Sequence, residues 1–352
     1  FRPSAKLRIG VTRRSAEGAG AIGYGYQLAA PAGRLPRVSG PRCACLPRLR
    51  TLDAPAEFVH ALAPASIGMS TEERGEEMAG EPIAPETQGQ RYLLDNAAQQ
   101  TAGRFSGLEA CFDEVAQAQL AARGIGPGWH CLEVGAGSGS IARWMAERVG
   151  PQGHVLATDI DTRWVRRDGL AQLEVIQHDI SRDPVREDAF DLIHARLVLV
   201  HLPRRDAVLA RLVASLKPGG WLVIEDFDSL LPHCLDPAND DERVFVKVGR
   251  GLVQGLHGRG ADTTYPRTLP HRLSSVGLVE VGGTGQLTIY RGGSPAAQLQ
   301  IANIDQVGDG LIKAGLITSG ERDIFRRLLD DPSFVGNHPL MITAWGRKPP
   351  RY

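Results

Sequence analysis

Cysteine is scarce in this 352-residue chain, and the five present (Cys43, Cys45, Cys111, Cys131, Cys234) are too few and too scattered for a disulfide framework. No signal-peptide pattern opens the sequence, so a reducing, cytoplasmic setting is expected. Cys43 and Cys45 form a C-x-C with neither a second cysteine pair nor a histidine run nearby, which argues against a metal site. Long apolar runs are missing too. The most apolar stretch, Leu192 to Leu202, is interrupted by His194, Arg196 and His201 and falls short of a bilayer span, so a soluble protein without a membrane partner is expected. Net charge is also absent overall, with 40 basic and 40 acidic side chains. Residues 1–68 hold ten Lys or Arg against three acids, leaving 30 basic and 37 acidic residues in 69–352. A surface that grips polyphosphate needs a basic stripe, and the mildly acidic remainder offers only short pairs such as Arg166 with Arg167, which argues against nucleic acid.

What is present is the composition of a globular protein, 42% hydrophobic and 23% charged. Residues 1–68, rich in Arg, Ala, Gly and Pro, show no sustained period and are expected to be an unstructured or non-native extension. Met69-Ser70-Thr71-Glu72-Glu73 has the look of a bacterial protein start, so the favoured reading is a stretch read in from upstream; a transit peptide and a genuine basic tail remain open. Gly18-Ala19-Gly20-Ala21-Ile22-Gly23 matches G-x-G-x-x-G. Arg13, Arg14 and Glu17 stand where a buried strand should precede it, however, so it is read as a decoy.

From about Gln88 the pattern turns helical, then alternates. An N-terminal helical cap is expected over 69–128, including an amphipathic helix from Phe105 to Arg123. Strands are expected at His130–Val134, His154–Asp159, Leu173–His178, Phe190–Ala195 and Trp221–Asp226, with helices in most of the gaps. Short apolar runs alternating with helices imply parallel strands joined by right-handed crossovers, a doubly wound α/β sheet. Helices are expected at Asp240–Leu256 and Leu269–Val276. Strands Leu278–Tyr290 and Pro339–Gly346 read as a hairpin pair interrupted by a helical insertion over 295–329, a lid or substrate wall, with 347–352 as a tail.

The chemistry concentrates at strand ends, where ligands of such sheets bind. Cys131-Leu132-Glu133-Val134-Gly135-Ala136-Gly137-Ser138-Gly139-Ser140 runs an apolar strand into a three-glycine turn and then a helix, whose free N–H groups would favour an anion. The spacing is G-x-G-x-G rather than that of dinucleotide binders. Glu133 is placed to receive an ammonium group. Asp159 ends the next strand, where a carboxylate can accept from both hydroxyls of a ribose, and Ile160 follows it. Asp179 and Ile180 end the third strand, as an acceptor for an exocyclic amine and a surface for an adenine ring. Each has a bland alternative: a tight turn for the glycines, a solvated loop acid for Asp179, solvated arginines for Arg104 and Arg196.

At these residues the chain resembles the class I S-adenosylmethionine-dependent methyltransferases, in particular the group holding the quinone C-methyltransferases and many natural-product methyltransferases. Glu133 to Gly139 is similar to the family's first motif, Asp159 to its ribose acid and Asp179 to its adenine-site acid. Phe190-Asp191-Leu192-Ile193 is similar to its fourth strand, and Leu216-Lys217-Pro218-Gly219-Gly220-Trp221 to its turn into the fifth. The resemblance covers about Tyr92 to Gly346. It implies a Rossmann-like, doubly wound sheet of seven strands, mostly parallel with an antiparallel last strand, over 129–346 with helical lid elements. It also implies S-adenosylmethionine as cofactor, bound by Glu133, Gly135, Ala136, Gly137, Gly139, Asp159, Ile160, Asp179 and Ile180, with Arg196 and Arg104 in reach. The expected partner is a small-molecule acceptor methylated at oxygen, nitrogen or carbon, by a monomer or homodimer without a catalytic metal. His201 is the first candidate for a base, with His194 and His233 behind it. A non-catalytic S-adenosylmethionine-binding regulator and a nicotinamide-dependent oxidoreductase are the competing readings.

Overall fold

The computed structural model describes the backbone of Leu7–Val11 and the structure of residues 100–351. The decoy glycines at 18–23, Cys43 with Cys45, and the proposed start at Met69 lie outside the described residues. The first described element is a strand, β1 (Leu7–Val11). Next come helix α1 (Thr101–Ala122), β2 (His130–Val134), α2 (Ser140–Val149), β3 (His154–Asp159), β4 (Leu173–Gln177) and β5 (Phe190–Arg196). Helix α3 (Arg205–Ser215) and β6 (Leu216–Asp228) complete the alternation. Helices α4 (Asp240–His257) and α5 (Leu269–Ser275) lead to β7 (Val279–Leu287) and β8 (Ile289–Arg291). The described chain closes with α6 (Pro295–Lys313), α7 (Ser319–Asp330), β9 (Val335–Asn337) and β10 (Leu340–Arg347).

The sheet order is β1-β7-β10-β6-β5-β2-β3-β4. Strands β4, β3, β2, β5 and β6 pair in parallel, and β10 inserts antiparallel between β6 and β7. Those seven strands are the expected ones. The eighth, β1, pairs antiparallel with the outer edge of β7, Leu7 opposite Leu287 through Val11 opposite Gly283. No strand was expected there, because an edge strand can hold on through backbone hydrogen bonds and need not show apolar alternation.

Alternation across the central strands explains the layers. Leu132, Val134, Ile193, Ala195, Leu222 and Ile224 face one core, shared with Val208, Leu209 and Leu212 of α3. Cys131, Leu192 and Val223, one residue out of phase, face the other, with Ala116 and Leu120 of α1 and Ile141 and Met145 of α2. A strand buried on both faces reads as a continuous apolar run, which is why the sheet was visible in the sequence.

A separate apolar cluster joins α4, α6 and α7. Phe245 stacks on Phe325 with centroids 4.2 Å apart, and Phe334 lies 4.6 Å from Phe245. The stretch expected as one helical insertion is two helices. Gly315 at φ 71° breaks them, and Thr318 starts α7 with a reciprocal capping box to Glu321. Helix α6 crosses α1 closely enough that a Cβ on Gly107 would lie 2.7 Å from Leu299 Cβ. Helix α6 therefore meets α1 beside the carboxyl ends of β5 and β6, where Phe112 and Leu299 pack with Leu197 and Phe227.

Candidate functional site

The glycine turn after β2 is built for a tight path rather than for open N–H groups. Gly135, Gly137 and Gly139 have φ of 70°, 56° and 83°, a region that costs other residues roughly 1–2 kcal/mol. The N–H groups of Gly135 and Ala136 both donate to the Thr158 carbonyl, at 2.8 and 2.9 Å. Gly139 N–H donates to Ala136 O at 2.8 Å, and Gly137 N–H to Asp159 Oδ2 at 2.8 Å. The turn spends these donors on holding itself against the end of β3. The ring of Phe105 from α1 lies over Gly137, with Cε1 3.1 Å from where a Cβ would stand, and Val198 lies over Gly135.

Asp159, 6% exposed, sits at the carboxyl end of β3 and also accepts from Asp161 N–H at 2.9 Å. Burial raises its carboxyl against the pull of these N–H donors. Two hydrogen bonds leave a carboxylate with acceptor capacity for a diol. The next residue, Ile160, is 55% exposed, an apolar surface beside that acid. Asp179 stands one strand further out, capping its own turn through Ser181 N–H at 2.9 Å, with Arg182 at 3.5 Å. Ile180 does not present an adenine surface: at 6% exposure it belongs to the core beneath α3, so Ile160 is the apolar side chain available at this edge.

Glu133 stands at one end of a buried polar chain. Its Oε2 meets His194 Nδ1 at 2.7 Å, His194 Nε2 meets Glu225 Oε2 at 3.4 Å, and Glu225 Oε1 accepts from Thr343 Oγ1 at 2.8 Å. The four residues sit on adjacent strands β2, β5, β6 and β10, on the face that also carries Cys131, Leu192 and Val223. Burial opposes a charge on His194, yet the two carboxylates override it and raise the imidazole to about 9. Burial pushes Glu133 up while His194 and Arg196 pull it down; Glu225, which also gains Thr343, ends below its ordinary value. His194 is thus an internal cation, not a free base.

Arg196 extends the site toward α1. Its Nη2 donates to Asp113 Oδ1 at 2.8 Å, while Nη1 is buried without a hydrogen-bond partner. Ser138 Oγ donates to Glu109 Oε1, so two acids one helical turn apart clamp α1 onto the strand ends. Asp113 and Glu109 were missed in the sequence, although carboxylates at i and i+4 on a helix otherwise packed by Phe105 and Phe112 are a readable signal. Glu225 was missed because its role depends on strand order. An anchored anion acceptor (Asp159), a second acid (Glu133) and an orphaned buried guanidinium nitrogen (Arg196) suit, respectively, a ribose, an ammonium and a carboxylate. The donor set therefore fits a nucleoside that carries an amino-acid tail.

Beside these strand ends lies a cavity of about 110 Å³. Arg104 and Leu108 of α1 form one wall, Leu252 and Leu256 of α4 another, and Leu299, Gln300 and Asn303 of α6 a third. Leu197, Val200 and His201 from the loop after β5, and Phe227 from the end of β6, form the side toward the sheet. That loop is held in a particular shape. Leu197 has φ 57°, its N–H donates to Glu225 O at 2.8 Å, and Val200 N–H reaches Asp226 Oδ2 at 3.3 Å. Burial holds the Asp226 carboxyl well above its ordinary value. Burial together with Arg104 and Arg205 lowers His201 to about 3, which makes it a weak base. Arg104, 4% exposed, belongs to the cavity wall.

Residues 132–224, from β2 to β6, match the family model described as a methyltransferase domain. Among curated proteins it is similar to methyltransferase str3 of Strobilurus tenacellus, 34% identical over 46% of this chain and 58% of that protein. It is also similar to the ubiquinone/menaquinone biosynthesis C-methyltransferase UbiE of Cupriavidus necator, 31% identical over 32% of this chain and 48% of that one. The chain thus spans about half the length of the curated relatives it matches. Among solved structures, phosphoethanolamine N-methyltransferase 2 of Haemonchus contortus, in complex with S-adenosyl-L-methionine, aligns with a TM-score of 0.46 and 16% identity, covering 74% of this chain and 61% of that one. Among the described residues no helix is long and apolar enough to cross a membrane, and no group of three or more His, Cys, Asp or Glu is placed to hold a metal ion.

Proposed function

We propose that this protein transfers a methyl group from S-adenosylmethionine to a small organic acceptor held in the cavity beside the strand ends. The observation that carries the reading is a juxtaposition. The glycine turn and Asp159 lie on one side of the loop after β5, and the apolar cavity lies on the other, with Val198 packed on Gly135 and Leu197 and Val200 lining the cavity. A donor and an acceptor would meet across that loop.

In this reading Asp159 accepts from the ribose hydroxyls, Ile160 covers the adenine, and Glu133 and Arg196 hold the two ends of the methionyl group. The bound sulfonium supplies an activated methyl group, so the protein's task is alignment, an effect worth roughly 7–11 kcal/mol in favourable cases. The cavity wall is mostly carbon, which excludes water and selects a small organic acceptor over a nucleic acid or protein. Phe105 covers the turn from α1, so binding requires this ring and Val198 to make room. Calorimetry with S-adenosylhomocysteine, S-adenosylmethionine and NAD tests the cofactor assignment; binding of NAD alone would overturn it. Transfer of labelled methyl from S-adenosylmethionine into a cell extract then identifies the acceptor, and a chain that binds the cofactor but labels nothing would be a regulator rather than an enzyme.

A further inference from the structure

One polar residue in the cavity wall has no task in the scheme above. His233 is 7% exposed, lines the cavity, and its Nδ1 is buried without a hydrogen-bond partner. Its position is constructed from both sides. Asn337 N–H donates to the His233 carbonyl at 2.8 Å and Asn337 Nδ2 to the Pro232 carbonyl at 2.8 Å, which stitches this turn to the end of β9. Across from it, Gly249 lies inside α4, where a Cβ would stand 2.4 Å from His233 Cδ2. A glycine within a helix costs about 0.5–1 kcal/mol relative to alanine, and here the space it leaves is filled by the imidazole.

A second imidazole stands behind the first. His338 is fully buried, its Nδ1 is 2.8 Å from Gln300 Nε2, and its Nε2 has no partner. Because the Gln300 amide donates to Nδ1, the neutral ring carries its proton on Nε2. Burial lowers His233 to about 4 and, helped by His233, lowers His338 to about 3, so both rings are neutral at physiological pH. A buried polar atom left unpaired costs about 1–3 kcal/mol, so a ligand group that pairs with one recovers much of that cost. Neutral imidazoles offer a carboxylate no counter-charge but suit an O–H, which both donates and accepts.

We propose that the cavity takes a mostly apolar acceptor bearing a hydroxyl group, and that His233 is the residue that hydrogen-bonds this hydroxyl. The inference rests on the methyltransferase reading for the word acceptor, but not for the binding itself. Phenol, toluene and benzoate, titrated into the full chain with and without saturating S-adenosylhomocysteine, test it. Phenol should bind about tenfold more tightly than toluene or benzoate, the factor expected of one hydrogen bond worth ~1.4 kcal/mol. His233→Phe should keep toluene binding and abolish the preference, His233→Gln should restore part of it, and Gly249→Ala, which crowds the ring, should weaken it. Equal binding of phenol and toluene, no binding of either, a preference for benzoate through Arg104, or a phenol preference that survives His233→Phe would each overturn the proposal. Failure of S-adenosylhomocysteine to bind would instead sink the cofactor reading, and the titrations without it would still decide the hydroxyl assignment.

Discussion

Replacing His194 by glutamine removes the cation from the centre of the Glu133–His194–Glu225 chain and should change stability in a pH-dependent way. In the wild type the imidazole is held at about 9, against about 6.5 when unfolded. At ~1.4 kcal/mol per pH unit, the proton is linked to roughly 3 kcal/mol of folding free energy. Because the folded value is the higher one, this contribution is complete below about pH 6.5 and is lost as pH rises through about 9. The glutamine variant should be about 3–5 kcal/mol less stable at pH 7, since two buried carboxylates lose their partner. It should regain part of the loss on acidification, as Glu133, already pushed up by burial, takes a proton. Urea denaturation from pH 5 to 10 reads both effects. The unfolding free energy of the wild type minus that of the variant cancels the other groups that titrate in the alkaline range, Cys111 at about 11 among them. A difference that does not change between pH 6 and 9 would refute the assignment of a buried imidazolium, as would an NMR titration placing His194 near 6.5.

Three further outcomes are expected. Asp159→Ala should weaken S-adenosylhomocysteine binding by about 1.5–3 kcal/mol, the worth of charge-assisted hydrogen bonds, measured by calorimetry; unchanged affinity would remove Asp159 from the site. Gly137→Ala should cost about 1–2 kcal/mol of stability from its φ of 56°, plus crowding against Phe105, read as a lower urea midpoint; an unchanged midpoint would show that the turn relaxes freely. Gly107→Ala should push α6 away from α1 at Leu299 and alter acceptor turnover while leaving cofactor affinity nearly intact; a change in cofactor affinity alone would mean that α6 serves the cofactor side.

The sheet was legible because β2, β5 and β6 are buried on both faces and so read as apolar runs, and the glycine turn because three left-handed positions within five residues leave a mark in sequence. Asp159 could be placed from strand length alone. The pairing of Glu133, His194, Glu225 and Thr343 could not, because it depends on which strands become neighbours, and β10, which begins at Leu340 whereas β6 ends at Asp228, is one of them. Ile180 was misplaced for a local reason: the residue after Asp179 turns back under α3. His201 looked like a base by position, and only its burial, with the two arginines brought beside it by α1 and α3, shows its charged form to be penalised.

The seat of β10 between β6 and β7 also bears on how the protein is made. Strand β6 leaves the ribosome with its far edge open and must wait while α4, α5, β7, α6 and α7 are synthesised before its partner appears. Over that interval an apolar edge is exposed, and any other strand of suitable pattern can pair with it. The helical segment that walls the cavity therefore sets a delay in assembly as well as a pocket, and lengthening it to admit larger acceptors would lengthen the time the nascent sheet stays incomplete.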